Sequence, residues 1–230
     1  MDFYEIGSHR VALDARGDVL AATPYSLFLA DNIPEMRGKI AVDLGTGSGI
    51  LGIVAKLQGA ALVYILDINP EAIDIALENA ARNGVHDGFE PLPTGSAMLP
   101  LPDGITVDYI ICNPAQLPMR QSDRATDPFF AGEDGRAMIE ALVHEAPRWL
   151  AQDGRLLMTH NSLSDVPSTR KLMGTLGLES RVLAERSIEF RPFIDREWID
   201  QLGGAERGLY RIIDGQAHEI LYILEAGRRR

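Results

Sequence analysis

The run Ile40-Ala41-Val42-Asp43-Leu44-Gly45-Thr46-Gly47-Ser48-Gly49-Ile50-Leu51-Gly52 carries the densest chemistry in the chain. An apolar stretch ends on a carboxylate, glycine follows at every second position, and a helical run continues to about Leu57. Glycines at this density let the backbone take positive φ values and let a ligand press against the main chain. The helix behind them presents unpaired N–H groups and a positive dipole end to the loop. Such a loop is a cofactor cradle on the first strand of an α/β sheet. A second carboxylate, Asp67, closes the next apolar run, and Asn113-Pro114 closes a later one. In an open α/β sheet such strand ends meet at one crevice.

Two registers of the glycines compete. From Gly47, the segment Gly47-Ser48-Gly49-Ile50-Leu51-Gly52 satisfies the dinucleotide pattern G-x-G-x-x-G, with Asp67 placed to take a ribose hydroxyl. That register describes an NAD-dependent oxidoreductase. From Asp43, the segment reads D-L-G-T-G-S-G and resembles motif I of the class I S-adenosylmethionine-dependent methyltransferases. A pyrophosphate beside Asp43 would be repelled, whereas a cofactor carrying an ammonium and a sulfonium charge would be attracted. The methyltransferase register is therefore the leading one. The resemblance implies that Asp43, Gly45, Thr46, Gly47 and Gly49 hold the methionyl part of the cofactor. It also implies that Asp67, with Ile68 and Asn69 after it, holds the ribose.

Cys112-Asn113-Pro114-Ala115-Gln116 extends the resemblance. Methyltransferases that act on amino or amide nitrogen carry Asn/Asp-Pro-Pro-Tyr at this place. A nitrogen nucleophile must be aimed in line with the methyl–sulfur bond while its hydrogens are accepted elsewhere. The Asn113 side-chain oxygen and the Pro114 carbonyl suit that task, since proline fixes φ. Asn113, Pro114 and Gln116 are the candidate catalytic residues, and Asn113 also borders the cofactor. Together with residues 127–135 and the helix and strand that follow, the chain over roughly 22–165 resembles the HemK-type release-factor glutamine methyltransferases. It departs from them in Ala115 and Gln116, which replace the second proline and the aromatic ring. A counterpart of their N-terminal helical domain is not expected. Ser96 stands where many relatives carry an acid facing the adenine. Gln116 offers a donor and an acceptor for a polar substrate, or is a surface residue in a loop.

The positioning elements follow from periodicity. Brief strands are expected near 4–6 and 11–14, and a helix over 26–33 after a break at Thr23-Pro24-Tyr25-Ser26. Thr23, Tyr25 and Ser26 either line the cofactor pocket or form a plain turn and cap. Strands are expected at 40–44, 61–67, 89–92, 105–112, 155–159 and 181–190. Helices are expected at 48–58, from Pro70 to Asn83 with a buried stripe of Ile73, Ala76, Leu77 and Ala80, and before Trp149. A short helix at 195–202 and a hairpin over 209–225 close the chain, with Phe193 and Trp198 as a possible substrate lid. Alternating strands and helices predict a parallel sheet with right-handed crossovers. The methyltransferase resemblance implies a Rossmann-like class I methyltransferase fold: a seven-stranded, mostly parallel sheet with an antiparallel last strand and helices on both faces. One domain over 1–230 is expected: an extension at 1–38, a cofactor-binding core at 39–165 and a closing hairpin at 180–230.

Bulk properties narrow the function. The chain has 230 residues, 46% of them hydrophobic, enough for one sizeable core. The formal net charge of −11 opposes phosphate backbones, so no nucleic-acid partner is expected and a small molecule or protein is favoured as acceptor. Arg228-Arg229-Arg230 is read as a solvated tail. No apolar run reaches the roughly 18–20 residues of a membrane span, the start does not resemble a signal peptide, and Cys112 is the single cysteine. A cytoplasmic enzyme is expected, with no metal. His160, at a strand end over the crevice, is either a proton handler or a satisfied structural histidine. The reading is an S-adenosylmethionine-dependent N-methyltransferase acting on a protein glutamine or a small metabolite. Alternatives are a non-methylating enzyme that releases methylthioadenosine by intramolecular attack, and a binding module without turnover.

Overall fold

The computed structural model describes residues 1–93, 104–120 and 131–229. Its centre is β3 (Ile40–Leu44), buried over four of its five residues and flanked by parallel β4 (Leu62–Asp67) and β6 (Val107–Cys112). β5 (Phe89–Pro93) extends the sheet beyond β4, and β7 (Leu150–Asn161) beyond β6. The sheet ends with β10 (Gln216–Arg228), antiparallel between β7 and β8 (Leu178–Glu189). The order is β5-β4-β3-β6-β7-β10-β8, with short β9 (Arg211–Ile213) paired to β10. Seven strands therefore form the main path, the last in sequence is antiparallel, and the fold is Rossmann-like. Asp214 and Gly215, both at positive φ, make the tight turn between β9 and β10.

Helices cover both faces. α1 (Pro24–Ala30), α2 (Ile50–Leu57) and α3 (Pro70–Arg82) belong to one side with the N-terminal hairpin, β1 (Asp2–Ile6) and β2 (His9–Leu13). Ile6, Val11 and Leu13 of that hairpin share a cluster with Leu29, Ile53, Ile65 and Ala80. α4 (Ala137–Trp149) and α5 (Val166–Thr175) cover the other face, over Val42, Ile110, Leu156 and Leu224. A short helix, α6 (Arg196–Gln201), is capped by the Asp195 side chain and joins a third cluster with Leu117, Leu163 and Tyr210.

Three expectations need correction. α3 buries Ala72, Ile75, Ala76, Asn79 and Ala80, so its inner stripe is rotated from the one read off the apolar residues, and Ile73 and Leu77 sit at its margin. Asn79 replaces them because its amide is fully used, as described below. α5 was not anticipated; Ser168, Thr169, Arg170 and Lys171 interrupt its apolar pattern. The C-terminal arginines are not a free tail: Arg228 ends β10 and donates to the Pro147 carbonyl, and the Arg229 N–H reaches the Gly177 carbonyl at 3.0 Å. Arg230 and Ser96 lie outside the described residues, as does the 127–130 part of the HemK-like loop. Among the described residues, no helix is long and apolar enough to cross a membrane.

Candidate active site

Strand order reverses between β3 and β6, and the crevice opens there, at the carboxyl ends of the parallel strands. Leu44, Asp67 and Asn113 mark those ends around a cavity of about 440 Å³, a size typical of small-ligand sites.

One end of the cavity is the glycine loop. Gly45 and Gly47 take φ of +73° and +49°; a Cβ on Gly45 would meet nothing within 4 Å, and one on Gly47 only the Leu20 carbonyl at 3.9 Å. Their bare faces are open space along the cavity. Gly49 differs: at φ +86° it caps α2, and a Cβ there would lie 2.9 Å from Ala76 Cβ. It serves the close packing of α2 on α3 and does not line the cavity. Asp43 does not line it either. The carboxylate is fully buried beneath the loop, where Oδ2 accepts from Thr46 Oγ1 at 2.8 Å and from the Gly52 N–H at 2.9 Å. Burial pushes its pKa up to about 6, against those two bonds. Asp43 thus holds the loop's shape from below.

Asp67 stands on the cavity wall, with Oδ2 accepting from the Gly47 N–H at 2.9 Å and Oδ1 from the Asn69 N–H at 3.0 Å. Ile68, 68% exposed, and Asn69, which caps α3, line the cavity beside it. Asp18, Val19, Leu20, Ala21 and Ala22 add a wall that the sequence reading did not include. Asn79 anchors that segment: its Nδ2 donates to the Asp14 carbonyl at 2.9 Å and the Ser48 carbonyl at 2.8 Å, and its Oδ1 accepts from the Asp14 N–H at 2.9 Å. One buried amide therefore ties the N-terminal segment to the glycine loop. Thr23 is both cap and wall: it forms a capping box with Ser26 and lines the cavity with Tyr25 and Ser26.

The other end is built on Asn113-Pro114-Ala115-Gln116. Thr159 Oγ1 donates to Asn113 Oδ1 at 2.6 Å and accepts from Gln116 Nε2 at 2.8 Å. Gln116 Nε2 also reaches the Pro114 carbonyl at 3.2 Å, and its Oε1 accepts from the Asn161 N–H at 2.6 Å. Gln116 is 3% exposed, so the surface-loop reading is corrected: its amide braces both the asparagine and the proline carbonyl. The loop that leads to α4 packs on this brace. A Cβ on Gly135 would lie 2.6 Å from the Gln116 carbonyl, and the Ala131 N–H donates to the Leu117 carbonyl at 3.1 Å. Trp198 packs on the same loop, its Nε1 donating to the Glu133 carbonyl at 3.0 Å.

His160 is not part of the cavity. It is fully buried, with Nδ1 at 2.8 Å from the Asn161 carbonyl and Nε2 at 2.9 Å from Thr169 Oγ1. Burial, with the Arg136 charge nearby, pulls its pKa down to about 4, so it is a neutral structural residue near pH 7. Beside Tyr25, the cavity is bordered by Arg191, another residue the sequence did not signal. No cluster of three or more His, Cys, Asp or Glu suited to a metal occurs among the described residues.

The family model described as "Ribosomal protein L11 methyltransferase (PrmA)" matches residues 21–119, from the cavity's N-terminal wall through Asn113-Pro114. Over 186 residues the chain is 26% identical to the "Putative protein N5-glutamine methyltransferase" of Methanocaldococcus jannaschii, covering 78% of this chain and 91% of that one. The chain is a class I S-adenosylmethionine-dependent methyltransferase. This methyltransferase is also 41% identical over 100 residues to the ribosomal protein L11 methyltransferase of Vibrio cholerae, a match spanning 43% of this chain and 32% of that one. It thus spans about a third of that relative's length. A chain from the solved Mtq2–Trm112 complex of E. cuniculi shares the fold, with a TM-score of 0.61, 19% identity, and coverage of 93% of this chain and 100% of that one.

The cofactor of the methyltransferase is S-adenosylmethionine, and the cavity fits it. The open faces of Gly45 and Gly47 form a main-chain cradle, Asp67 stands at the adjoining wall, and Asp43 puts buried negative charge beneath the loop. That last feature suits a cationic cofactor and opposes a pyrophosphate.

Proposed function

We propose that the methyltransferase acts on an amide or amine nitrogen, carried by a protein glutamine or a small metabolite. The observation that carries this reading is the pair of acceptors at the far end of the cavity, Asn113 Oδ1 and the Pro114 carbonyl, both bonded to one Gln116–Thr159 brace. Each carbonyl-type oxygen has two lone pairs, one used by the brace and one for a hydrogen of the incoming nitrogen. The brace fixes the angle at which those hydrogens are taken, and so aims the nitrogen's remaining lone pair along the cavity toward the glycine loop. Positioning of this kind supplies a large part of a rate enhancement without any covalent intermediate on the protein.

S-adenosylmethionine, when bound, supplies an electrophilic methyl group on a positively charged sulfur. The main chain of Gly45, Thr46 and Gly47 cradles its methionyl part, with Asp43 and Gly49 acting indirectly by holding the loop and seating α2 on α3. Asp67 takes the ribose hydroxyls, between Ile68 and Asn69. Asn113 and the Pro114 carbonyl would orient the acceptor nitrogen, whose extra proton would pass to solvent.

The HemK-type reading rests on the order of Asn-Pro, residues 132–135 and α4 along the chain. It is supported by the tight approach of Gly135 to Gln116, where a Cβ would lie 2.6 Å from the Gln116 carbonyl. The Methanocaldococcus relative, covered over 91% of its length, bears a name of the same activity. A buried glutamine brace in place of a tyrosine ring leaves a different wall around the acceptor, without an aromatic stacking surface. The chain's acidity supports a protein or metabolite acceptor over a nucleic acid.

The test is incubation of the purified protein with methyl-labelled S-adenosylmethionine and an extract of its own cells, followed by separation of macromolecules from small molecules. Label in a protein or small molecule that disappears with Asn113→Ala supports the reading. Conversion of the cofactor to methylthioadenosine with no label transferred overturns it.

A further inference from the structure

Beyond the glycine loop and the Asn113 end, the cavity wall holds a third polar group. The Arg191 guanidinium lies between two rings, 4.8 Å from the Tyr25 centroid and 4.6 Å from that of Phe193. Its Nη2 donates to the Tyr25 hydroxyl at 3.0 Å. Its Nε is buried without a hydrogen-bond partner among the described residues. Of the described residues that line the cavity, Arg191 is the one cation. A planar guanidinium held by stacking at the cavity wall, its side chain 23% exposed, is preorganised for carboxylate.

Two observations bear on what this group does. Arg191 bonds Tyr25, the Tyr25 hydroxyl neighbours the Asn161 side chain, and the Asn161 N–H holds Gln116, the brace of Asn113. The guanidinium is therefore joined to the acceptor-positioning network through consecutive contacts. The second observation is charge. Glu219, fully buried on β10, accepts from the Tyr25 hydroxyl and lies 3.8 Å from Arg191 Nη2, with its other oxygen unpartnered. Burial pushes this carboxyl up to about 7, so it balances only part of the arginine's charge.

We propose that Arg191, clamped between Tyr25 and Phe193, binds a carboxylate of the methyl acceptor, so that the substrates are amine- or amide-bearing carboxylic acids. This rests on the N-methyltransferase reading above. A carboxylate also occurs on the methionyl end of the cofactor, and the experiment separates the two sources.

Binding is measured by calorimetry for wild type, Arg191→Gln and Arg191→Lys, each first shown to be folded by its thermal transition. The first titrants are S-adenosylhomocysteine and methylthioadenosine, which lacks the amino-acid carboxylate. At saturating S-adenosylhomocysteine, glycine, L-glutamine and 2-aminobenzoate are then compared with their primary amides. The expected result is that at least one acid binds the wild-type complex about 10-fold or more tighter than its amide, as a charge-assisted bidentate contact requires. Arg191→Gln abolishes the preference and leaves S-adenosylhomocysteine affinity unchanged, and Arg191→Lys retains part of it. Absence of any acid-over-amide preference, or its survival in Arg191→Gln, overturns the proposal. A fall of S-adenosylhomocysteine affinity in Arg191→Gln to the methylthioadenosine level assigns the arginine to the cofactor and also overturns it. Failure of wild type to bind S-adenosylhomocysteine at all removes the underlying reading instead.

Discussion

Thr159, on the strand beside Asn113, donates its hydroxyl hydrogen to Asn113 Oδ1 at 2.6 Å while receiving one from Gln116 at 2.8 Å. The threonine is a hinge pin between two cavity residues that lie on the same loop. Because its single hydrogen is committed to Asn113, the asparagine amide cannot turn over without breaking the chain of bonds.

Replacing that hydroxyl tests the arrangement. Thr159→Val keeps the shape and removes the bond, and is expected to lower kcat by about 5- to 150-fold, the range spanned by about 1–3 kcal/mol for an unmade buried hydrogen bond. Affinity for S-adenosylhomocysteine stays within about 2-fold and Thr159→Ser restores most of the rate. Single-turnover kinetics with a cofactor titration separates the two effects. In the Thr159→Val, Asn113→Ala double variant the losses are less than additive, as for residues acting through one contact.

Gln116→Ala strips the brace from both acceptors and leaves the Asn161 N–H without its partner in a buried site. The expected cost is about 1–3 kcal/mol of stability for that donor, read as a lower denaturant midpoint. Gln116→Tyr, which restores the aromatic of N-P-P-Y, does not rescue it, because a ring cannot serve Thr159, Pro114 and Asn161 together.

The glycines separate by role. Gly49→Ala drives a Cβ to 2.9 Å from Ala76 Cβ and should lower stability markedly through the α2–α3 contact. Gly45→Ala meets nothing within 4 Å, so its stability loss is limited to the positive-φ strain of about 1–2 kcal/mol. Its added methyl intrudes on the cradle, so cofactor affinity falls well beyond the effect of Gly49→Ala. Paired calorimetry and thermal melts check both halves.

Acidity acts on three buried groups: His160 in one direction, and Glu219 together with Asp43, raised from 3.8 to about 6, in the other. His160 is lowered from 6.5 to about 4, so the unfolded chain binds more protons than the folded one between those values, and stability is lost as pH falls from 6.5 toward 4. Glu219 is raised from 4.5 to about 7, so the folded chain holds the extra proton there, and stability is lost as pH rises from 4.5 toward 7. Glu219→Gln should therefore unmask a steeper acid loss, and His160→Gln a steeper loss on the alkaline side of the same window. Urea midpoints between pH 4 and 7 give both slopes.

Much of this site was legible in the sequence because its signals are local. The apolar run, Asp43 and alternating glycines announced β3 and its loop, and Asn113-Pro114 announced the end of β6. What escaped depends on partners distant in sequence. The burial of Gln116 follows from Thr159 and Asn161, more than forty residues on, and that of Asn79 from the segment it clamps at Asp14. Asp43 and Gly49 sit in the motif, yet the direction of the Asp43 carboxylate was set by the Gly52 N–H of α2 and the lack of room at Gly49 by Ala76 of α3, which spacing alone does not give. Arg191 belongs to no local pattern, and its place follows from the antiparallel pairing of β8 and β10.

The most direct test of the central claim is the identity of the bond formed. The purified methyltransferase is supplied with isotopically methyl-labelled S-adenosylmethionine and the fraction of extract that accepts label, and the product is read by heteronuclear NMR. A labelled methyl bonded to nitrogen, absent with Asn113→Ala while S-adenosylhomocysteine still binds, is the predicted result. A methyl found on oxygen, sulfur or carbon, or transfer undiminished in Asn113→Ala, would contradict the account.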